Sequence, residues 1–365
     1  MKVGILGLGT VGGGVINVLQ KNSASIERRT GVQIELVIAG VRDVTKKRIC
    51  DTSNIKLTED PFEVVNHPDI DVVLELIGGF GLAKELVEAA INNGKHIITA
   101  NKALIGNHGN ELMKLANKKQ VRFLFEASVA GGIPIIKALG QGLSANNIES
   151  VAGIINGTGN FILTDMKEKG RDFDDVLKEA QTLGYAEADP TADIEGHDAA
   201  AKAALLASLA FHSTVTIDEV YCEGISAISL DDVNAAKAMG SVIKLLAIAE
   251  LTLKDEISVR VHPVILPSSH PLASVRNAFN AVYVESEAAG QLMFYGRGAG
   301  GAPTASAILG DLVAVTRHRA YSTVGYGESD YADLDIAPVG DVKSQFFVRL
   351  HVADKSGVLA SIAHV

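Results

Sequence analysis

At the N-terminus an apolar run, Val3 to Leu8, meets the pattern Gly7-Leu8-Gly9-Thr10-Val11-Gly12, and an amphipathic segment follows to about Arg28. A strand, a glycine turn and a helix in that order open a βαβ unit, in which the glycines let a pyrophosphate approach the N–H groups at the helix N-terminus. Gly7, Gly9, Thr10, Val11 and Gly12 are therefore expected to contact a nicotinamide dinucleotide. A glycine-rich turn without a ligand has the same local sequence, but the flanking strand and helix raise this match well above a bare motif.

The strands that follow extend the same unit. Gln33 to Val41 ends at Arg42-Asp43, where an acid would bind the ribose hydroxyl of NAD and a cation the 2′-phosphate of NADP. Arg42 comes first, and Lys46, Lys47 and Arg48 follow, so the local field favours NADP. Strands at Val72 to Ile77 and His96 to Thr99, each after a helix-like segment, predict a parallel sheet with alternating helices. The second of these ends in Thr99-Ala100-Asn101-Lys102, which puts Lys102 just past the carboxyl end of a strand, where open parallel sheets bind their ligands. A solvent-exposed loop lysine is the plainer alternative. A last strand, Val121 to Glu126, runs into Ala127-Ser128-Val129-Ala130-Gly131-Gly132-Ile133-Pro134, small residues beside an acid whose bent backbone could offer carbonyl oxygens to a hard cation.

At 365 residues the chain is longer than one hydrophobic core serves, and two domains are expected. We place a dinucleotide-binding Rossmann domain at 1–133 and an α+β catalytic and dimerisation domain at 134–335, with a helix at 304–318 returning to close the first. A net charge of −10 leaves no basic field for nucleic acid. Two unpaired cysteines, Cys50 and Cys222, fit a reducing compartment. No apolar run is long enough to span a bilayer, so a cytoplasmic protein without membrane partners is expected. The ten histidines include no zinc-ligand spacing.

In the second half, Val151 to Ile155 reads as a strand ending in Asn156-Gly157-Thr158-Gly159, ahead of a helix, Leu163 to Lys169. Backbone N–H groups there, with the Thr158 hydroxyl, would hold a carboxylate or simply cap the helix. The stretch Gly184 to Lys202 carries five carboxylates. Asp198 and Lys202 fall one turn apart on an alanine-rich helix, while Glu187 and Asp193 lie in the loop that Pro190 bends toward it. That grouping suits a small cationic substrate, though an acidic surface loop before a helix reads alike. A long helix is expected over Leu230 to Glu250, then strands at Ser258 to Pro263 and Val282 to Ser286 and a glycine-dense loop, 296–301, that sets Gly301 beside the cofactor.

With these motifs all present in order, Gly7 to Gly12, Thr99 to Lys102, Asn156 to Thr158, and Gly184-Tyr185-Ala186-Glu187-Ala188-Asp189-Pro190 through Asp198 and Lys202, residues 1 to about 335 resemble homoserine dehydrogenase. The resemblance implies NAD(P)-dependent interconversion of L-homoserine and L-aspartate 4-semialdehyde, in threonine, methionine and isoleucine biosynthesis, by a homodimer. It implies Lys202 as proton donor and acceptor, Lys102 near nicotinamide and substrate, Glu187 on the substrate, Asp193 and Asp198 as positioning acids, and Gly157 with Thr158 toward the substrate carboxylate. Glu126, Val129, Gly131 and Ile133 match that family's sodium-binding turn, mainly through backbone oxygens. From about Ser344 the tail resembles the opening strand (Gln345 to Val352), turn (Asp354 to Gly357) and helix (from Val358) of an ACT domain, about a third of such a domain. Aspartate-semialdehyde dehydrogenase would need a catalytic cysteine, and neither Cys50 nor Cys222 has such a setting. A nucleotide-sensing regulator without chemistry is the other reading, and hydride transfer with homoserine and NADP separates the two.

Overall fold

The glycine motif does build a βαβ unit. In the computed structural model, which describes residues 1–318, 335–343, 345, 347–350, 352 and 355–364, β1 (Lys2–Leu6) is buried over Val3 to Leu6 and lies inside a six-stranded parallel sheet. The remaining strands are β2 (Glu35–Gly40), β3 (Lys56–Thr58), β4 (Val72–Glu75), β5 (His96–Thr99) and β6 (Phe123–Leu124), ordered β3-β2-β1-β4-β5-β6. The chain runs outward one way from β1 and then the other, so the order reverses beside β1, where doubly wound sheets hold dinucleotides. The crossovers carry α1 (Thr10–Thr30), α2 (Pro61–Asn66), α3 (Gly81–Asn92) and α4 (Lys102–Lys118). β3 has no counterpart in the sequence reading because three residues are too few to show a period. The expected strand Val121 to Glu126 shrinks to β6, since Glu126–Ser128 turns into a 3₁₀ helix.

Past the single helical turn α5 (Ile135–Lys137), the second sheet has the order β12-β11-β7-β9-β10-β8. Its strands are β7 (Ile148–Ile154), β8 (Tyr221–Cys222), β9 (Ser241–Leu251), β10 (Ile257–Pro267), β11 (Phe279–Ser286) and β12 (Gly290–Arg297), antiparallel except where β8 joins β10. α6 (Gly157–Lys169), α7 (Phe173–Thr182), α8 (Thr191–Ile194), α9 (His197–Ala210) and α10 (Leu230–Ala238) cover one face, where Ile162, Met166, Ala203 and Ala207 share a core with Ile243 and Leu245. The helix expected over Leu230 to Glu250 is thus a correction: it stops at Ala238, Gly240 takes a left-handed φ of 67°, and the Val-Ile-Leu-rich remainder becomes β9. The run is apolar on both faces because β9 is a central strand, and periodicity alone cannot tell such a strand from a buried helix. Asp193 is a second correction, since it sits on the short helix α8 and not in a loop.

α11 (Gly301–His318) packs along α1. Its Ala305, Ile308 and Leu312 share a core with Val15, Ile16 and Leu19 of α1. The two helices meet without side chains at one point, for a Cβ on Gly14 would lie 2.5 Å from the Gly301 carbonyl oxygen. Residues 319–334 of the expected second domain lie outside the described residues. In the tail, α12 (Val358–Ala363) starts at the expected residue. The described residues of the expected strand, Gln345, Phe347 to Leu350 and Val352, form none, and Val348, Leu350 and Val352 are exposed, so the ACT-like reading is not borne out. Ser344, Phe346, His351, Ala353 and Asp354 lie outside the described residues.

Candidate active site

The fold brings together residues that are far apart in the chain. β5 ends at Thr99, and Asn101 caps α4 by accepting from Leu104 N–H at 3.1 Å, which fixes Lys102 as the first helical residue. From the other domain, Asp198 stands in the first turn of α9 and Lys202 one turn later. The buried Asp198 carboxylate bridges the two lysines: Oδ2 accepts from Lys202 Nζ at 2.6 Å, and Oδ1 is in contact with Lys102 Nζ. Lys202 also donates to the Ile155 carbonyl at 2.8 Å, just past the end of β7. Its side chain is 12% exposed, against 42% for Lys102.

Burial drives the Lys202 ammonium down to about 8, against the pull of Asp193. Lys102 also falls to about 8, from burial first and then repulsion by Lys202, with Asp193 and Glu187 opposing. Its seat at the N-terminus of α4 acts the same way, since the helix dipole disfavours a cation there. A lysine near neutrality can take or give a proton at working pH. A cleft of about 370 Å³ opens beside the pair, lined by Gly78, Gly79, Lys102, Gly131, Lys202 and Gly298 among others. That volume suits a small ligand.

The glycines of the first turn differ in what surrounds them. Gly7 has φ 98° and packs on the Leu76 carbonyl, and a Cβ on Gly12 would strike the Gly7 carbonyl at 2.1 Å. The space at Gly9 is open, so a pyrophosphate can approach the backbone there. Thr10 and Val11 start α1, and the Thr10 carbonyl lies close to Gly301. Arg42 is exposed just after β2, while Asp43 is tied up locally, accepting from Thr45 N–H at 2.7 Å and its hydroxyl at 2.6 Å.

Other expected residues are placed less simply. The Thr158 hydroxyl donates to the Tyr185 carbonyl at 2.7 Å and so links α6 to the Glu187 loop. Gly157 heads α6 with the Ala278 carbonyl against it. Glu187 is exposed. The Glu126 carboxylate, raised to about 7 by burial and then by Asp311, accepts from Ile136 and Lys137 N–H. Ala130 and Gly131 both take left-handed φ, so the backbone from Val129 to Ile133 folds back on itself and packs against Gly298. The described residues include no cluster of three or more metal-binding side chains.

Sequence reasoning missed two groups. Asn156, 6% exposed, donates to Asp193 Oδ1 at 2.7 Å and Asp198 Oδ2 at 3.0 Å. Glu75, fully buried at the end of β4, accepts from the Thr99 hydroxyl at 2.6 Å and Ile77 N–H at 3.0 Å, fixing the strand ends on either side of Gly78 and Gly79. An asparagine just ahead of a helix is a capping signal, and an acid ending an apolar strand is a burial anomaly, so both left traces in the sequence.

Comparison with known proteins agrees with this geometry. Residues 7–126 match the family model "Homoserine dehydrogenase, NAD binding domain", and residues 134–313 match "Homoserine dehydrogenase". The chain is 50% identical to the homoserine dehydrogenase of Corynebacterium glutamicum over 365 residues, 99% of this chain and 82% of that protein. It is also 50% identical to that of Pseudomonas aeruginosa, over 100% of this chain and 85% of that protein. The fold superposes with TM-score 0.92 on the crystal structure of a homoserine dehydrogenase from Thiobacillus denitrificans, 48% identical, covering 100% of this chain and 85% of that one. A hyperthermophilic archaeal homoserine dehydrogenase in complex with NADPH matches with TM-score 0.71 at 27% identity, over 86% of this chain and 97% of that one. No helix among the described residues is long and apolar enough to cross a membrane. Sequence, fold and lysine-lined cleft lead to one conclusion: the chain belongs to the homoserine dehydrogenase family, NAD(P)-dependent oxidoreductases.

Proposed function

We propose that Lys202 carries the proton in the interconversion of L-homoserine and L-aspartate 4-semialdehyde. The observation behind this is the buried Lys202 ammonium, near pKa 8, opening on the cleft beside a second lysine. In the oxidising direction neutral Lys202 takes the proton from the substrate hydroxyl, and in reverse its ammonium returns a proton to the aldehyde oxygen. The nicotinamide, when bound, accepts or supplies the hydride. Lys102 stands on the cofactor side of the same cleft and orients the reacting oxygen. Asp198 holds both lysines in place. Asp193 and Glu187 would receive the substrate ammonium, and the N-terminus of α6 at Gly157 its carboxylate. With its hydroxyl engaged by Tyr185, Thr158 contributes its backbone N–H and braces the loop.

Gly7, Gly9, Thr10, Val11, Gly12 and Gly301 would hold the dinucleotide, with Arg42 on the 2′-phosphate of NADP. A structural Na⁺ would sit in the Glu126 turn on the carbonyls of Val129, Gly131 and Ile133. We take the working unit as a homodimer formed on the second sheet. The face turned away from the helices carries a separate apolar cluster that includes Leu246, Tyr283 and Met293, and neighbouring Tyr295 is 55% exposed. The cytoplasm is the compartment that suits two free thiols. Mixing the protein with L-homoserine and NADP tests the reading: reduced nicotinamide should accumulate, and none at any pH from 7 to about 9 would refute it.

A further inference from the structure

The contacts of one buried amide go beyond the roles assigned above. Asn156 is the last residue before α6, and its two ends face different ways. Oδ1 accepts from Gly159 N–H at 2.8 Å and caps the helix. Nδ2 donates to Asp193 at 2.7 Å and to Asp198 at 3.0 Å. The residue before it, Ile155, supplies the carbonyl that holds Lys202 at 2.8 Å. One dipeptide thus grips both the lysine and its acids. Two carboxylates sharing one amide lie close enough to repel, and a neutral bridging donor holds them together without adding charge.

We propose that Asn156 is a positioning residue of the reaction: its amide fixes Asp198, and through it Lys202, while tying α8 to the head of α6. The helix that would bind the substrate carboxylate and the acid that would bind its ammonium therefore move as one body. An ordinary N-cap does none of this, and serine would serve it as well. The charged groups around Lys202 are Lys102 from α4, Asp193 from α8 and Asp198 from α9, while Glu187 from the preceding loop acts on Lys102. A carboxylate at position 156 would add a further negative charge beside them.

This inference rests on the role proposed for Lys202, and the test separates the two. Asn156→Ser keeps a capping oxygen and removes only the bridging donor, whereas Asn156→Asp keeps cap and volume and replaces the donor by a carboxylate. For Asn156→Ser, kcat/KM for L-homoserine should fall roughly 10- to 100-fold, the worth of one or two hydrogen bonds to a charged group, with NADP affinity held and the thermal midpoint lowered by no more than a few degrees. For Asn156→Asp, the rising limb of the pH profile for homoserine oxidation should move up by about one unit, because added negative charge favours the protonated lysine. Wild-type kcat/KM in Asn156→Ser, or an unmoved profile in Asn156→Asp, overturns the proposal. A loss of turnover that comes only with lost NADP binding and a lowered midpoint also overturns it, since a capping defect then suffices. Lys202→Ala is run in parallel: if that variant keeps its turnover, the parent assignment fails, and if it loses turnover while Asn156→Ser does not, the part given to Asn156 alone fails.

Discussion

Gly14→Ala tests how the returning helix is seated on the cofactor turn. In an isolated helix the change would stabilise by about 1 kcal/mol, because alanine loses less chain entropy. Here a Cβ would lie 2.5 Å from the Gly301 oxygen and 2.7 Å from its carbonyl carbon, both backbone atoms at the start of α11. Overpacking costs about 1 to 3 kcal/mol, and rigid backbone puts this case near the upper end. The net is a loss of about 2 kcal/mol, or roughly 4 to 8 °C of thermal midpoint for a domain of this size. Gly106→Ala is the control, on the exposed face of α4 with open space where its Cβ would go. It should gain about 1 kcal/mol, a rise of roughly 2 to 4 °C. Calorimetry of both variants, with an NADP titration, reads the result. Gly14→Ala should also weaken NADP by displacing α11 from the glycine turn. If Gly14→Ala is as stable as Gly106→Ala and binds NADP normally, the α1 to α11 contact is wrong.

Three further outcomes are expected. Arg42→Ala should weaken NADP by roughly tenfold and leave NAD nearly unchanged, because only NADP offers a phosphate to the guanidinium; equal losses in competition titrations would refute it. For homoserine oxidation, kcat/KM should climb about tenfold per pH unit and flatten near the pKa of about 8 shared by the coupled lysines, whereas aldehyde reduction should be flat below that pH and decline above it; a flat oxidation profile from pH 6 to about 9 would remove the lysines from the proton path. The thermal midpoint should be higher in sodium chloride than in choline chloride at equal ionic strength, since an ion bound only by the folded state stabilises it; identical midpoints would count against Na⁺ in the Glu126 turn.

The parts readable in the sequence were those set by local rules. The glycine spacing of Gly7 to Gly12 gave the first βαβ unit, and the alanine-rich run after His197 gave α9 with Asp198 and Lys202 on one face. β9 was misread as helix because a strand buried on both faces has no period of two to show. Lys102 could be named as a candidate from the strand end before it, but its meeting with Asp198, across 96 residues of sequence, is a tertiary fact. The same holds for Asn156, whose motif suggested a helix start and whose bridging amide appears only once α8 and α9 are packed against it. The tail misled for the opposite reason: the alternation in Gln345 to Val352 suggested a strand, yet its described residues are exposed and form none.

Steady-state oxidation of L-homoserine by Lys202→Ala, with NADP binding measured separately, should show kcat lowered by roughly 10² to 10⁴ and cofactor affinity nearly intact. Lys202→Arg should be almost as damaging, since a guanidinium stays protonated and cannot act as the base. Wild-type kcat in Lys202→Ala would contradict the assignment and reduce the Asp198 to Lys202 contact to a structural ion pair.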